Sequence, residues 1–225
     1  SSVHLLGTDE YGRDILSRLI FGARASLLIG LTTTAISAFI GVVLGTAAGF
    51  YGGIIDEVIS RIMEVFYAFT DILFAIGVMF VLGPGIINLF IALGILGWIG
   101  TARLIRAKVL TLKEKEFIKA AQSCGASDFF IIRKHILPNC LSTIIVITTM
   151  AIPSAILSEA ALSFLGLGVQ APTASWGSMI SFAKTYIRMH PTYSIYPGIC
   201  IILVVLAFNL FGDCLRDALD PKLKI

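Results

Sequence analysis

The stretch KEKEFIKAAQSCGASDFFIIRKHILP, Lys113 to Pro138, decides how the rest of the chain is read. Phe117, Ile118, Ala121 and Cys124, then Phe129, Ile132 and Ile136 after Gly125, recur at three- and four-residue spacing, the pattern of two short amphipathic helices. Gly125 can adopt positive φ and end the first helix without a Cβ penalty. Ser127 or Asp128 can cap the second. Pro138 stands where a longer helix could begin, at a first-turn position that tolerates a missing N–H. Ala120 and Ala121 are small and allow another surface to approach closely. The stretch is charged at both ends and too structured for a mere connector.

Its flanks are apolar over long distances. The 225 residues are 57% hydrophobic and 14% charged, with a mean hydropathy of +0.93, whereas soluble domains carry about 25% charged residues. That excess does not fit inside one core, because a globule needs polar surface toward water. An ordinary soluble enzyme, a nucleic-acid-binding domain and a disordered tail are excluded, and lipid must cover much of the protein. A net charge of +3 is too small to call for a polyanionic partner. Cys124, Cys140, Cys200 and Cys214 form no CxxC pair and read as buried small hydrophobes. The chain starts at Ser1 with no Met and no signal-peptide pattern, which reads as the edge of a longer protein.

A spanning helix needs about 20 mostly apolar residues. Five stretches qualify: Ala25 to Tyr51; about Arg61 to Leu82, which carries Glu64 and Asp71; Ile86 to about Ile105, after the Gly83-Pro84-Gly85 turn; Lys134 to Glu159; and Arg188 to Asp213. The interval 160–194 holds glycines, Pro172 and several hydroxyls, and is expected to be an irregular excursion at the surface. Lys and Arg gather on the cytoplasmic side of membrane proteins. With the N-terminal end outside, twelve basic residues fall inside (Arg61, Arg103, Arg106, Lys108, Lys113, Lys115, Lys119, Arg133, Lys134, Arg216, Lys222, Lys224) and five outside (Arg13, Arg18, Arg24, Lys184, Arg188). The loop 110–137 and the tail 216–225 are therefore expected in the cytoplasm, and 1–21 is expected as an external or interfacial segment.

Ala120, Ala121, Gly125, Leu137 and Pro138 match a known pattern. EAA, three residues, Gly, nine residues, Ile, any residue, Leu-Pro is the EAA loop of bacterial ABC importer permeases, which this stretch resembles. Lys119 replaces the usual Glu, with Glu116 one turn earlier as a possible substitute. His135 replaces the usual Ile, which resembles the RHILPN variant of dipeptide, oligopeptide and nickel permeases, here with Arg133 followed by Lys134 and then HILPN. GTDEYGRDILSRLIFGARASL (Gly7 to Leu27), SFLGLGVQAPTASWGSMI (Ser163 to Ile180) and PGICIILVVLAFNLFGDCLRDALDP (Pro197 to Pro221) resemble the same group, in order and over nearly the whole chain. The chain most resembles the second, C-type, subunit of the permease pair. Members of that type carry one further N-terminal membrane helix, for which this sequence shows no counterpart.

The resemblance implies the all-α type I importer permease fold over 22–215, in the bacterial inner membrane. It implies a second, homologous permease, two ATPase subunits that bind ATP and Mg2+ and dock on the loop, and an extracytoplasmic solute-binding protein. Small peptides are the expected solute, with nickel or a metal chelate as the alternative. The coupling set is Glu116, Lys119, Ala120, Ala121, Gly125, Ala126, His135, Leu137 and Pro138. No GxxxxGK[ST] loop exists, so this chain is expected to be a non-enzyme that binds no nucleotide, cofactor or metal; no nucleic-acid partner is expected.

Charges within a membrane default to a functional role. Asp71 and Glu159, with Ser158, are candidates to face the translocation path; Glu159 has the alternative of capping the fold, and Glu64 that of pairing with Arg61. Gly41, Gly45 and Gly49 form a helix-packing stripe. Trp98, Trp176, Tyr186, Tyr193 and Tyr196 read as interfacial anchors. An ion-coupled secondary transporter would need inverted repeats, which are not found, and an intramembrane enzyme would have to use Asp71 with Glu159.

Overall fold

The computed structural model describes residues 4–219; Lys222 and Lys224, counted above for orientation, lie outside them. The described residues form helices with no strand: α1 (Ile15–Tyr51), α2 (Gly53–Tyr67), α3 (Asp71–Leu82), α4 (Ile86–Lys113), α5 (Glu116–Ser123), α6 (Asp128–Ile131), α7 (Leu137–Phe164), α8 (Trp176–Ala183) and α9 (Thr192–Leu219). Four stretches are long and apolar enough to cross a membrane: α1, α4, α6 to α7 taken together, and α9. The pair α2 and α3 makes a fifth only as a broken span, bent by 89°.

Several expected boundaries move. α1 starts at Ile15 rather than Ala25, because Asp14 caps it there: its Oδ2 accepts the Ser17 N–H at 2.7 Å. At about 55 Å for 37 residues, α1 outreaches a hydrocarbon layer of about 30 Å. The second expected span is not continuous. Thr70 is extended (ψ 124°) between α2 and α3, and Asp71 begins the new helix, where an acid meets the positive end of the dipole. α3 turns into α4 through Gly83 (φ +83°) and Gly85 (φ +153°), conformations open to glycine.

The loop expected over 110–137 shrinks at both ends. α4 continues to Lys113, and α6 runs into α7 without a break, so Asp128–Phe164 is one 37-residue helix. Pro138 therefore lies inside a helix instead of opening one. A π-turn at Ile132–Ile136 makes this possible: the Leu137 N–H reaches back to the Ile132 carbonyl. Pro138 deprives the preceding turn of a donor, and next to it Asn139 Nδ2 donates to the His135 carbonyl at 2.6 Å.

The stretch 160–194 is not irregular throughout. It holds α8, begun by a capping box between Ser175 and Ser178 and buried through Trp176, Gly177, Ser178 and Met179. The expected interfacial anchors are corrected in part, since Trp98 (5% exposed), Trp176 (3%) and Tyr193 (6%) are buried. Trp176 Nε1 donates to the Leu19 carbonyl at 3.0 Å, fixing α8 to the start of α1. Cys140 is buried as expected, but Cys124 and Cys214 are exposed.

The central contact joins α1 to α4 along the predicted glycine stripe. A Cβ at Gly41 would stand 2.7 Å from the Trp98 carbonyl oxygen, at Gly45 2.5 Å from that of Ala102, and at Gly49 2.9 Å from that of Arg106. Only glycine lets two backbones come this close. α7 closes against both helices and carries α9 on its other side. The α8 end and the α5 end are thus opposite ends of one bundle.

Candidate functional site

Two features stand out. The first is a cavity of about 220 Å³ between α1, α3, α4 and α7. Thr33, Thr34, Ser37, Thr101, Thr148, Ser154 and Ser158 contribute hydroxyls to its lining, with Asp71 as its one carboxylate. Two of these hydroxyls turn back to carbonyls of their own helix, Thr33 to Ile29 at 2.5 Å and Thr148 to Ile144 at 2.7 Å, while Ser37 crosses to Gly94 at 3.1 Å. The buried Thr34 Oγ1 has no partner. Among the described residues Asp71 makes no ion pair. The chamber therefore offers a carboxylate and hydroxyl oxygens within largely apolar walls.

Of the three residues expected at a path, Asp71 and Ser158 line this cavity and Glu159 does not. Glu159 is fully buried toward α1 and α8. It accepts the Ser26 hydroxyl at 3.2 Å and the Ser163 hydroxyl at 2.7 Å. Those serines in turn accept the backbone N–H groups of Trp176 (3.2 Å) and Val169 (3.1 Å). One carboxylate thus orients two hydroxyls whose lone pairs hold both sides of the turn before α8, so its place is that of a cap on the fold. Since Asp71 and Glu159 occupy different sites, the intramembrane-enzyme reading loses its pair.

The second feature is the α5–α6 hairpin. Gly125 has φ +76°, and around it the Gly125 N–H reaches Gln122 and the Ala126 N–H reaches Ala121, which closes α5. Ser127 then caps α6 by accepting the Phe130 N–H at 3.4 Å. The apolar face differs from the expected one. Ile118, Ile131 and Ile136 are fully buried against Phe50, Ile105, Val109 and Cys140, whereas Phe117 (44% exposed), Phe129 (70%) and Phe130 (47%) point outward. His135 lies between Phe117 and Phe130, at centroid distances of 6.1 and 5.8 Å. Glu116, Lys119, Ala120, Gly125 and Pro138 are exposed around this aromatic patch; Ala121, Ala126 and Leu137 are half-buried beneath it. Lys119 pairs with Glu114 at 3.0 Å, not with Glu116.

Contacts that sequence reasoning missed tie this end of the bundle together. Arg106 clasps Asp56 by two hydrogen bonds, 2.5 and 2.6 Å, which fixes α2 to α4. Lys113 Nζ donates to the Phe50 carbonyl at 2.7 Å near the end of α1, and Arg103 lies 4.1 Å over the Tyr67 ring. Asp56 lies between the first and second expected spans and Arg106 just past the third, so the expected topology puts both at the same end, the one signal for this pair in the sequence. The Arg61–Glu64 pair forms as expected, at 3.0 Å.

At the opposite end, Asp9 organises the approach to α1. Its carboxylate accepts the N–H groups of Tyr11 (2.9 Å) and Arg13 (2.8 Å) and Arg13 Nε (2.7 Å). Burial alone would raise its pKa, but the Arg13 and Tyr11 hydrogen bonds together with the Arg13 charge outweigh it and hold the carboxyl below the usual range.

Comparison with known proteins agrees with this layout. A family model described as the binding-protein-dependent transport system inner membrane component matches residues 41–225. The dipeptide transport system permease protein DppC of Alkalihalophilus pseudofirmus is 48% identical over all of this chain and 74% of its own length. The glutathione transport system permease protein GsiD of Pectobacterium atrosepticum is 46% identical over the same shares. Among solved structures, the inward-facing MetNI methionine ABC transporter aligns with TM-score 0.72 over 92% of this chain and 98% of that one; at 18% identity it speaks for the fold alone. An ion-coupled secondary transporter is thereby set aside, and the chain belongs to the binding-protein-dependent inner membrane components, the permeases of ABC importers.

Proposed function

We propose that this chain forms half of the translocation path of an ATP-driven importer of small peptides, glutathione-like tripeptides included. It pairs with a second permease, receives solute from an extracytoplasmic binding protein, and is driven by two partner ATPases that bind ATP and Mg2+. Dipeptide and glutathione permeases are its relatives at 46–48% identity, which favours peptides over nickel or a metal chelate. In this reading the α5 end is cytoplasmic, the start of α1 and α8 are outside, and residues 22–215 form the transmembrane unit.

The observation that carries the reading is the two-sided hairpin. Its isoleucines are embedded against the ends of α1, α4 and α7, and its aromatic patch is open to a partner. An ATPase that grips Phe117, Phe129 and Phe130 moves α7 directly, because α6 continues into it. α7 contributes Ser154 and Ser158 to the cavity, so movement at the ATPase changes the chamber. Asp71 would meet the ammonium end of a peptide there.

The test is Gly125→Val in the reconstituted importer. A β-branched residue at φ +76° is strained, and the turn that presents the patch must rearrange. Membrane insertion with peptide uptake lost is the expected result; wild-type uptake would contradict the coupling role. Asp71→Asn tests the path separately and should lower peptide uptake while ATPase association is unchanged.

A further inference from the structure

We propose that a groove at the start of α1 is a binding site for an anionic phospholipid, with the lipid phosphate held by Arg18 and Arg24. The groove has a volume of about 480 Å³ and runs between the first turns of α1, the start of α4 at Ile86 and the stretch before α8 at Ala174. It shares no lining residue with the hydroxyl-lined cavity and is a separate site.

Arg18 is 8% exposed, and its buried Nε makes no hydrogen bond. The nearest carboxylate oxygen, Asp9 Oδ2, is 3.6 Å away and is already engaged by Arg13 at 2.7 Å. A buried guanidinium with an unused N–H is costly unless an acceptor fills the site. Arg24 lines the same groove and, among the described residues, forms no ion pair. Two guanidiniums against one committed carboxylate leave a positive site, and the forked N–H geometry suits phosphate oxygens.

The walls say which phosphate. Phe21 (68% exposed), between the two arginines, and Leu28 (58%), one turn beyond Arg24, line the same face of α1, where exposed apolar side chains in a spanning helix meet acyl chains. A free phosphate would leave that wall unused, and a zwitterionic headgroup would bring its own cation beside Arg24. An anionic headgroup with its acyl chains along Phe21 and Leu28 uses both parts.

The test is native mass spectrometry of the assembled full-length importer, stripped of lipid and titrated with phosphatidylglycerol or with phosphatidylcholine of the same chains. Phosphatidylglycerol should be retained preferentially. Arg24→Gln should weaken its binding about tenfold, the loss of one charged hydrogen bond. Arg18→Lys, which keeps the charge beside Asp9, should weaken it less, and the exposed Arg188→Gln, outside the groove, should leave it unchanged. Equal retention of the two lipids, wild-type retention by Arg24→Gln, or displacement of the lipid by inorganic phosphate would each overturn the assignment. So would protection of Arg24 from phenylglyoxal in the lipid-free complex, which would place a neighbouring protein in the groove.

Discussion

Replacing Gly45 by alanine adds a single methyl group where α1 and α4 come closest. The new Cβ would sit 2.5 Å from the Ala102 carbonyl oxygen and 3.0 Å from its Cα. Both are backbone atoms of a helix, so no side-chain rotation relieves the contact. The two helices must part by about an ångström, and a gap of that size forfeits a quarter to a half of each dispersion contact beside it. Overpacking of this kind costs about 1–3 kcal/mol. Alanine's better helix propensity offsets about 0.5–1 kcal/mol of it, which leaves a net loss of about 1 kcal/mol at mid-range. Gly100 in α4 and Gly77 in α3 supply the control, because a Cβ at either meets nothing within 4 Å. Reversible unfolding of the purified protein in mixed detergent micelles, followed by circular dichroism, measures all three variants. Equal stability of Gly45→Ala and wild type, or a larger loss for Gly100→Ala, would refute the close-approach argument.

Other changes have equally definite outcomes. Arg106→Lys should not replace the forked clasp on Asp56 and should free α2 from α4 at a cost of about 1–3 kcal/mol, read as faster hydrogen exchange in α2. Glu159→Ala should loosen the stretch before α8, so that proteolysis near residue 170 accelerates while the α5 hairpin stays protected. The Asp9 carboxyl titrates lower in the folded protein than its unfolded value of about 3.9. The unfolded state therefore binds its proton first as the pH falls. Its stabilisation is complete above about pH 5 and lost as the pH drops through the folded value, so the protection factors of the Tyr11 and Arg13 amides should fall in acid. Asp9→Asn should remove that dependence.

The membrane character, the helical architecture and the hairpin with Gly125 were legible because each depends on local composition or spacing. The breaks were not. Thr70 carries no proline or glycine to announce the 89° bend of α2 against α3. Conversely Pro138, which looked like a helix start, is absorbed by a π-turn, a backbone adjustment with no composition of its own. The sequence proposes Asp71, Ser158 and Glu159 together for a translocation path; Asp71 and Ser158 line one cavity, but Glu159, next to Ser158, faces the other way, because a helix turns successive residues by about 100°. The Asp56–Arg106 clasp joins residues 50 apart, beyond what periodicity can connect. Phe117 and Phe129 matched the apolar spacing yet point outward, because the isoleucines alone fill the space above Phe50 and Val109.

The unbroken helix from Asp128 to Phe164 limits how force can leave it. With the helical backbone continuous through the π-turn, a push at the hairpin in the proposed function cannot be dissipated by fraying a terminus. It must emerge as a tilt of the whole rod or as flexure at Pro153, where the ladder lacks a rung. Pro153 lies next to Ser154 and five residues before Ser158, on the stretch of helix that walls the hydroxyl-lined chamber, so the most compliant joint of this rod sits beside that chamber.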